Sequence, residues 1–564
     1  MKVALVQPPV EDFYDTDVRL QPIGLCYIKA AVKQHLPQVE VVVRDYHTGH
    51  GRRTVAIPPA LRYLDAYYPV ADRSPFSTFH RYYHFGASFD DIETDLAALK
   101  PDLVAISSLF TPYHREALEV ARRAKRRLAA VPVVIGGSHA SAAPDSLLES
   151  PHVDYVIRGE GEKAFVEFLR FLQGDKAIES VANLAYKQNG RCIFNPIEDN
   201  FPLDELPFPD LSDLAPARYS VAGKPLTFLI TSRSCPHRCS FCSVHTTFGL
   251  KYRLRSLENV LDEIELRYRQ GYRVIDFEDD NLTYYKETFK ELCRRLIARY
   301  PRRALELVAM NGISYLSLDD EALELMVAAG FSRLNLALVS SDKTVRETTK
   351  RPHTLGAYVK VVEKARRLGL KIVSYQILGL PNESLASMVQ TLAFNARLPV
   401  RLGASPFYRT PNAPIARARE FNADDYLRSR LTALGVEADG FERDDIYTLF
   451  VATRIVNFLK ELPLSAPAAL EELVEREWSD LRRRIGFESL RRLGSTERLW
   501  FWTKRGWLEN GKFRAALFAQ LLAAAGYVTT QDGVRIDVGA FAALISSAFY
   551  RRPRSVRGRF MTLR

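Results

Sequence analysis

Short apolar runs alternate with amphipathic stretches along residues 1–173. The runs at 3–6, 39–43, 103–107, 131–135 and 155–157 have the length of buried strands. Between them, IGLCYIKAAVKQHL and HREALEVARRAKRRL place apolar residues at helical spacing. This predicts an α/β fold opening with a doubly wound, Rossmann-like parallel sheet. Residues 50–88, rich in aromatics and Pro, break the alternation and read as a loop insertion. Residues 174–223 are rich in Pro and Asp without periodicity and read as a linker. Residues 224–410 resume the alternation, with strands predicted at 226–231, 274–277, 305–310, 334–339, 371–378 and 402–407. Six successive strand–helix units predict a partial (β/α)6 barrel of TIM type, with chemistry at the C-terminal ends of its strands. Residues 411–564 are predicted mostly helical, a cap or substrate domain. It holds all four tryptophans, Trp478, Trp500, Trp502 and Trp507, as core filling or as a wall against substrate.

Composition narrows this little. With 47% hydrophobic and 26% charged residues the chain is of ordinary globular type, and its 564 residues exceed one core. Six cysteines in that length are no disulfide scaffold, so a reducing, cytoplasmic setting is expected. The opening MKVALVQPP reads as a strand and lacks the features of a secretory leader. The longest apolar stretch, 515–528, is too short to span a membrane. A net charge of +11 permits an anionic partner, but the densest basic run, the tail RRPRSVRGR, lacks stacking aromatics, and no nucleic-acid substrate is expected.

Half of the cysteines crowd into RSCPHRCSFCSV as Cys235, Cys239 and Cys242. They follow the first predicted barrel strand and so lie on a catalytic-face loop. Three readings stand: unrelated reduced thiols, a zinc site completed by His245, or an iron–sulfur cluster with one iron left open. Cys293 falls on the apolar stripe of a helix, Cys26 in the first helix and Cys192 in the linker region, so none completes a set of four.

With Phe241 before the last thiol, the cysteines resemble the CxxxCxxC signature of radical S-adenosylmethionine enzymes. The resemblance implies three thiolates on a [4Fe–4S] cluster, S-adenosylmethionine on its fourth iron, and a 5′-deoxyadenosyl radical from reductive cleavage. Glu278, Asp279 and Asp280 end the second strand, where the family meets the methionine amino group. Their alternative role is to cap the helix beginning near Lys286. GLPNES, 379–384, resembles the fifth-strand motif near the adenine, with Gly379 admitting close backbone approach, and TPNAP resembles a landmark after the sixth strand. Relatives often end the fourth strand in Glu-Ser, where this chain has Val339-Ser340; the resemblance implies ribose contact by Ser340, without the Glu.

In the N-terminal region Asp45 and His47 follow the second strand, Ser107 and Leu109 the third, and Gly136 and Gly137 the fourth. The set resembles the cobalamin-binding signature DxHxxG, SxL and GG, with His50 in place of the first glycine. RGEGE, 158–162, also occurs in radical enzymes carrying this domain. In that family the His ligates cobalt and the Asp holds the His. The combined resemblance, over residues 1–410, implies a cobalamin-dependent radical S-adenosylmethionine enzyme. Its expected activity is methyl transfer to an unactivated carbon through the deoxyadenosyl radical and methylcobalamin. A non-methylating cyclase or ring-rearranging enzyme, or a zinc-binding non-enzyme, are the alternatives. It further implies a small-molecule substrate and an electron donor such as flavodoxin or ferredoxin. The Arg and Trp of RLWFWTKRGW would suit a lipid or aromatic substrate near a membrane surface.

Overall fold

The computed structural model describes residues 1–16, 20–68, 72–198, 200–351, 353–464 and 470–548. The basic run at 551–559 lies outside them. The N-terminal sheet has seven strands, in the spatial order Arg191–Phe194, Leu184–Gln188, Tyr155–Ile157, Val133–Gly136, Leu103–Ser107, Lys2–Gln7, Glu40–Asp45. The last five run parallel. Alternate side chains of Lys2–Gln7 enter different cores, Val3 and Leu5 one face, Ala4 and Val6 the other. Helices thus cover both faces, as parallel sheets require. The chain winds to one side of Lys2–Gln7 and then to the other, so the crevice beyond these strand ends is a ligand position.

Two expectations change here. Residues 174–223 are not simply a linker. Within them Leu184–Gln188 and Arg191–Phe194 form a hairpin that adds antiparallel to Tyr155–Ile157 and satisfies an edge that would otherwise lie open. The 50–88 segment is not a free loop. Arg52–Thr54 and Tyr83–Phe85 join Val10–Asp12 in a small antiparallel sheet. Its Tyr67, Tyr68, Phe76 and Phe79 enter one core with Tyr447, Phe450 and Phe458 of the helix Arg443–Lys460. That core also takes Leu378 and Leu402 from the barrel, so no core boundary falls at residue 411.

The barrel strands Lys224–Leu229, Val274–Phe277, Glu306–Val308, Arg333–Val339, Lys371–Leu378 and Arg401–Pro406 are parallel. They form two arcs of three, joined by bridges Leu307 to Phe331 and Ile313 to Leu336. Ile275, Phe277, Leu334 and Leu336 face the helices, while Leu226, Phe228, Val274 and Val308 plug the floor with Ile23 of the first helix. The free edge of the first barrel strand is covered by the N-terminal region: Gln21 Oε1 accepts from Phe228 N at 2.8 Å and Thr227 Oγ1 at 3.2 Å.

The C-terminal region is helical with two hairpins. Trp502 and Trp507 pair across the hairpin Trp500–Thr503/Gly506–Glu509 and are half-buried, and Trp478 stacks on Phe487. No helix among the described residues is long and apolar enough to cross a membrane.

Candidate cofactor and substrate site

The cysteine loop, residues 234–252, hangs from a neck formed by Ser232–Arg233 pairing antiparallel with Arg253–Leu254. Ser234 takes a positive φ of 71°, and its hydroxyl donates to the Gly249 carbonyl at 2.8 Å, which turns the chain into the loop. Donors aim at the sulfurs. Asn281 Nδ2 lies 3.6 Å from Cys235 Sγ, and Arg351 Nη1 lies 3.6 Å from Cys239 Sγ. The backbone N–H groups of His237 and Val244 serve Cys235 and Cys242. Burial, with neighbouring thiols and Asp280, nevertheless pushes the Cys235 thiol up and the Cys242 thiol to about 12. Three sulfurs furnished with donors in a site that disfavours bare thiolate fit a cationic iron–sulfur group. His245 directs Nε2 to the Cys235 carbonyl at 2.8 Å, and no three His, Cys, Asp or Glu side chains among the described residues converge on a single metal ion. Cys26 and Cys293 are buried in apolar cores, and Cys192 lies on the edge hairpin.

The three carboxylates after the second barrel strand diverge. Asp279 is buried and accepts the Thr231 and Ser232 hydroxyls and the Thr231 N–H, so it braces the barrel mouth. Asp280, exposed at the cleft, opens towards the thiols, and desolvation by the cleft walls and then the charge of Asp279 raise its carboxyl to about 7. Glu278 accepts from Asn311 Nδ2 at 2.9 Å, and burial with nearby Asp276 holds it at about 7. Ser340 is fully buried and its hydroxyl meets Thr391 Oγ1 at 3.2 Å, so it is enclosed in a side-chain network. At Gly379, φ +86°, a Cβ would meet Ile446 at 3.0 Å and Phe441 at 3.2 Å, so this glycine also lets the C-terminal region pack closely.

On the N-terminal sheet Ser107 pairs with Gly136, which brings Ser107, Leu109, Gly136 and Gly137 together at the strand ends. Asp45 and His47 stand two strands away. His47 is 1% exposed with Nδ1 3.3 Å from the Phe85 carbonyl oxygen. Asp45 accepts the backbone N–H of His47 at 2.8 Å and the Tyr219 hydroxyl.

A cleft of about 580 Å³ joins the two regions. Leu109, Phe110, Ser138 and Ala142 form its N-terminal side; Phe241, Cys242 and Asp280 its cysteine-loop side. Tyr14, Phe407, Tyr408 and Arg430 close it. The tryptophans do not line it. Sequence reading missed Arg351, 112 residues from Cys239, and Arg430, since neither sits in a local pattern; Asn281, next to the acidic run, was within reach.

The Radical SAM superfamily pattern matches residues 229–394, and the B12 binding domain pattern residues 74–169. Residues 229–394 thus match a radical S-adenosylmethionine domain and residues 74–169 a cobalamin-binding domain, the pairing that cobalamin-dependent radical S-adenosylmethionine enzymes carry. An uncharacterized methyltransferase of Pyrococcus horikoshii is 28% identical over 316 residues, 56% of this chain and 68% of the relative. The cytidylyl-2-hydroxyethylphosphonate methyltransferase of Streptomyces wedmorensis is 26% identical over 415 residues, 67% of this chain and 73% of the relative. In fold, the chain resembles the radical S-adenosylmethionine methyltransferase TsrM of Kitasatospora setae, solved with cobalamin and a [4Fe–4S] cluster. That likeness has TM-score 0.55 and 20% identity, covering 73% of this chain and 76% of the other. The enzyme's cofactors are accordingly a [4Fe–4S] cluster, S-adenosylmethionine and cobalamin.

Proposed function

We propose that this enzyme methylates an unactivated carbon of a small molecule bound in the cleft between the N-terminal strand ends and the cysteine loop. The observation that carries the reading is that one cleft is lined by Leu109 and Ser138 on one side and Cys242 and Asp280 on the other. When bound there, the cluster with S-adenosylmethionine supplies radical chemistry and cobalamin supplies a methyl carrier. Cys235, Cys239 and Cys242 would hold the cluster, their sulfurs steadied by Asn281, Arg351 and backbone N–H groups. Asp280 and Glu278 would receive the methionine amino group, and Asp279 would keep the strand end that carries them in place.

Ser107, Leu109, Gly136 and Gly137 would seat the corrinoid; His47, enclosed against Phe85, is left out of that role. Phe110, Tyr113, Phe241, Phe407 and Tyr408 would exclude water and favour an apolar or aromatic substrate, a lipid included. A reduced flavodoxin or ferredoxin in the cytoplasm would deliver the electron.

The test is anaerobic reconstitution with hydroxocobalamin, followed by turnover with candidate substrates. Methylated product together with 5′-deoxyadenosine is the expected outcome. Deoxyadenosine with an unmethylated product would move the enzyme to ring-forming or rearranging chemistry and overturn the methyltransferase reading.

A further inference from the structure

The neck of the cysteine loop has an electrostatic fault that the loop does not repair. Arg233 and Arg253 stand directly opposite each other on its two strands, each side chain 6% exposed. Opposed like charges destabilise a strand pair. The counter-charges come from the N-terminal domain. Glu160 gives one carboxylate oxygen to each arginine. Glu162 accepts from Arg233 Nη2 at 2.5 Å and Nη1 at 3.2 Å. Two positive and two negative side chains thus balance in a buried quartet, where removing one member strands a charge. The Arg233 guanidinium also lies between the rings of Tyr27, 5.6 Å away on the first helix, and Phe248, 5.7 Å away within the cysteine loop.

From the quartet a short run of bonds leads back to the glycines. The N–H of Gly159, next to Glu160, donates to Ser141 Oγ at 2.7 Å, and that hydroxyl donates to the Gly137 carbonyl at 3.0 Å. Gly159, with φ +65°, packs under the loop: a Cβ there would lie 3.5 Å from the Thr247 carbonyl oxygen. Gly137 is therefore linked through Ser141, Gly159 and Glu160 to Arg233, two residues before Cys235.

We propose that Glu160 and Glu162 are positioning residues that make ligand binding at Gly136–Gly137 and order in the cysteine loop one equilibrium. The inference rests on the reading of those glycines as a corrinoid seat. Such coupling is a shared free energy, so a ligand at one end must protect the other.

The experiment uses the full chain without its cluster, loaded with hydroxocobalamin, and follows amide hydrogen exchange by mass spectrometry. In the native protein, loading slows exchange across residues 234–252 by about tenfold or more. In Glu160→Gln/Arg253→Gln, which keeps the quartet neutral, about one corrinoid per chain still binds but the slowing falls to about onefold. Ser141→Ala, which cuts the run outside the charged quartet, also reduces the slowing. A role confined to folding would alter neither ratio once the corrinoid is bound. Undiminished slowing in both variants, or no slowing in the corrinoid-loaded native chain, would overturn the proposal. Absence of bound corrinoid from the native chain is a separate result: it overturns the functional reading, and this inference with it.

Discussion

Asp279 and Thr231 hold the mouth of the barrel together: the carboxylate accepts the threonine hydroxyl at 2.6 Å and its N–H at 3.1 Å. The next residue, Asp280, opens to the cleft instead. Asp279→Ala would leave buried donors unpaired and cost roughly 2–4 kcal/mol, read from urea unfolding. Asp280→Asn should leave stability within about 1 kcal/mol of native while deoxyadenosine formation collapses. Equal stability losses in both would contradict this division of labour.

The six cysteines should separate cleanly. Replacing Cys235, Cys239 or Cys242 by Ala should remove most of the iron and sulfide bound after reconstitution. Cys293→Ala, in the apolar core of the barrel, should keep full iron loading and cost about 1 kcal/mol of stability. Iron analysis and chemical denaturation read the two effects independently.

Gly137 has φ +113°, and a Cβ there would fall 2.7 Å from the Ser108 carbonyl oxygen. Gly137→Ala should displace that loop and abolish corrinoid binding, measured from the bound-cofactor absorption spectrum. His47→Ala should retain corrinoid, since the native ring is enclosed against Phe85. Loss of corrinoid from the His47 variant would restore it as a cobalt ligand.

Stability should fall as pH rises from about 4.5 to about 8 because of Glu116. Burial, and then the charge of Glu11, raise its carboxyl from 4.5 to about 8, and its Oε2 has no hydrogen-bond partner. The folded state holds this proton more tightly than the unfolded one, so the contribution is full below pH 4.5 and is lost as pH rises through about 8. The loss has an upper bound of roughly 4–5 kcal/mol. Glu116→Gln should flatten the decline, read as Tm against pH; an unchanged slope would exonerate Glu116. His114 and His139 act at the other end. Burial lowers them to about 4 and about 3, so stability present above pH 6.5 is lost as pH falls towards those values.

Much of the site could be read locally. The spacing of Cys235, Cys239 and Cys242 survives in any fold that puts them on one loop, and Gly136–Gly137 sits where a strand ends. The strand–helix alternation was legible because both faces of a parallel sheet are buried, which writes apolar runs directly into the chain. The surroundings of Gly379 and Ser340 were not legible in this way. What packs against the glycine depends on Ile446 and Phe441, more than sixty residues away, and whether the serine is open depends on Thr391.

By itself, then, the order of residues determined the local elements, the set of three thiols and the family resemblance, because these rest on neighbours and short spacings. Tertiary structure alone decided which carboxylate braces and which faces the cleft. It also paired the aromatics of residues 67–79 with the helix Arg443–Lys460, and gave Glu160 to two arginines on another domain. Those outcomes depend on burial and charge balance between segments far apart in the chain. Neither quantity exists until the chain has closed on itself.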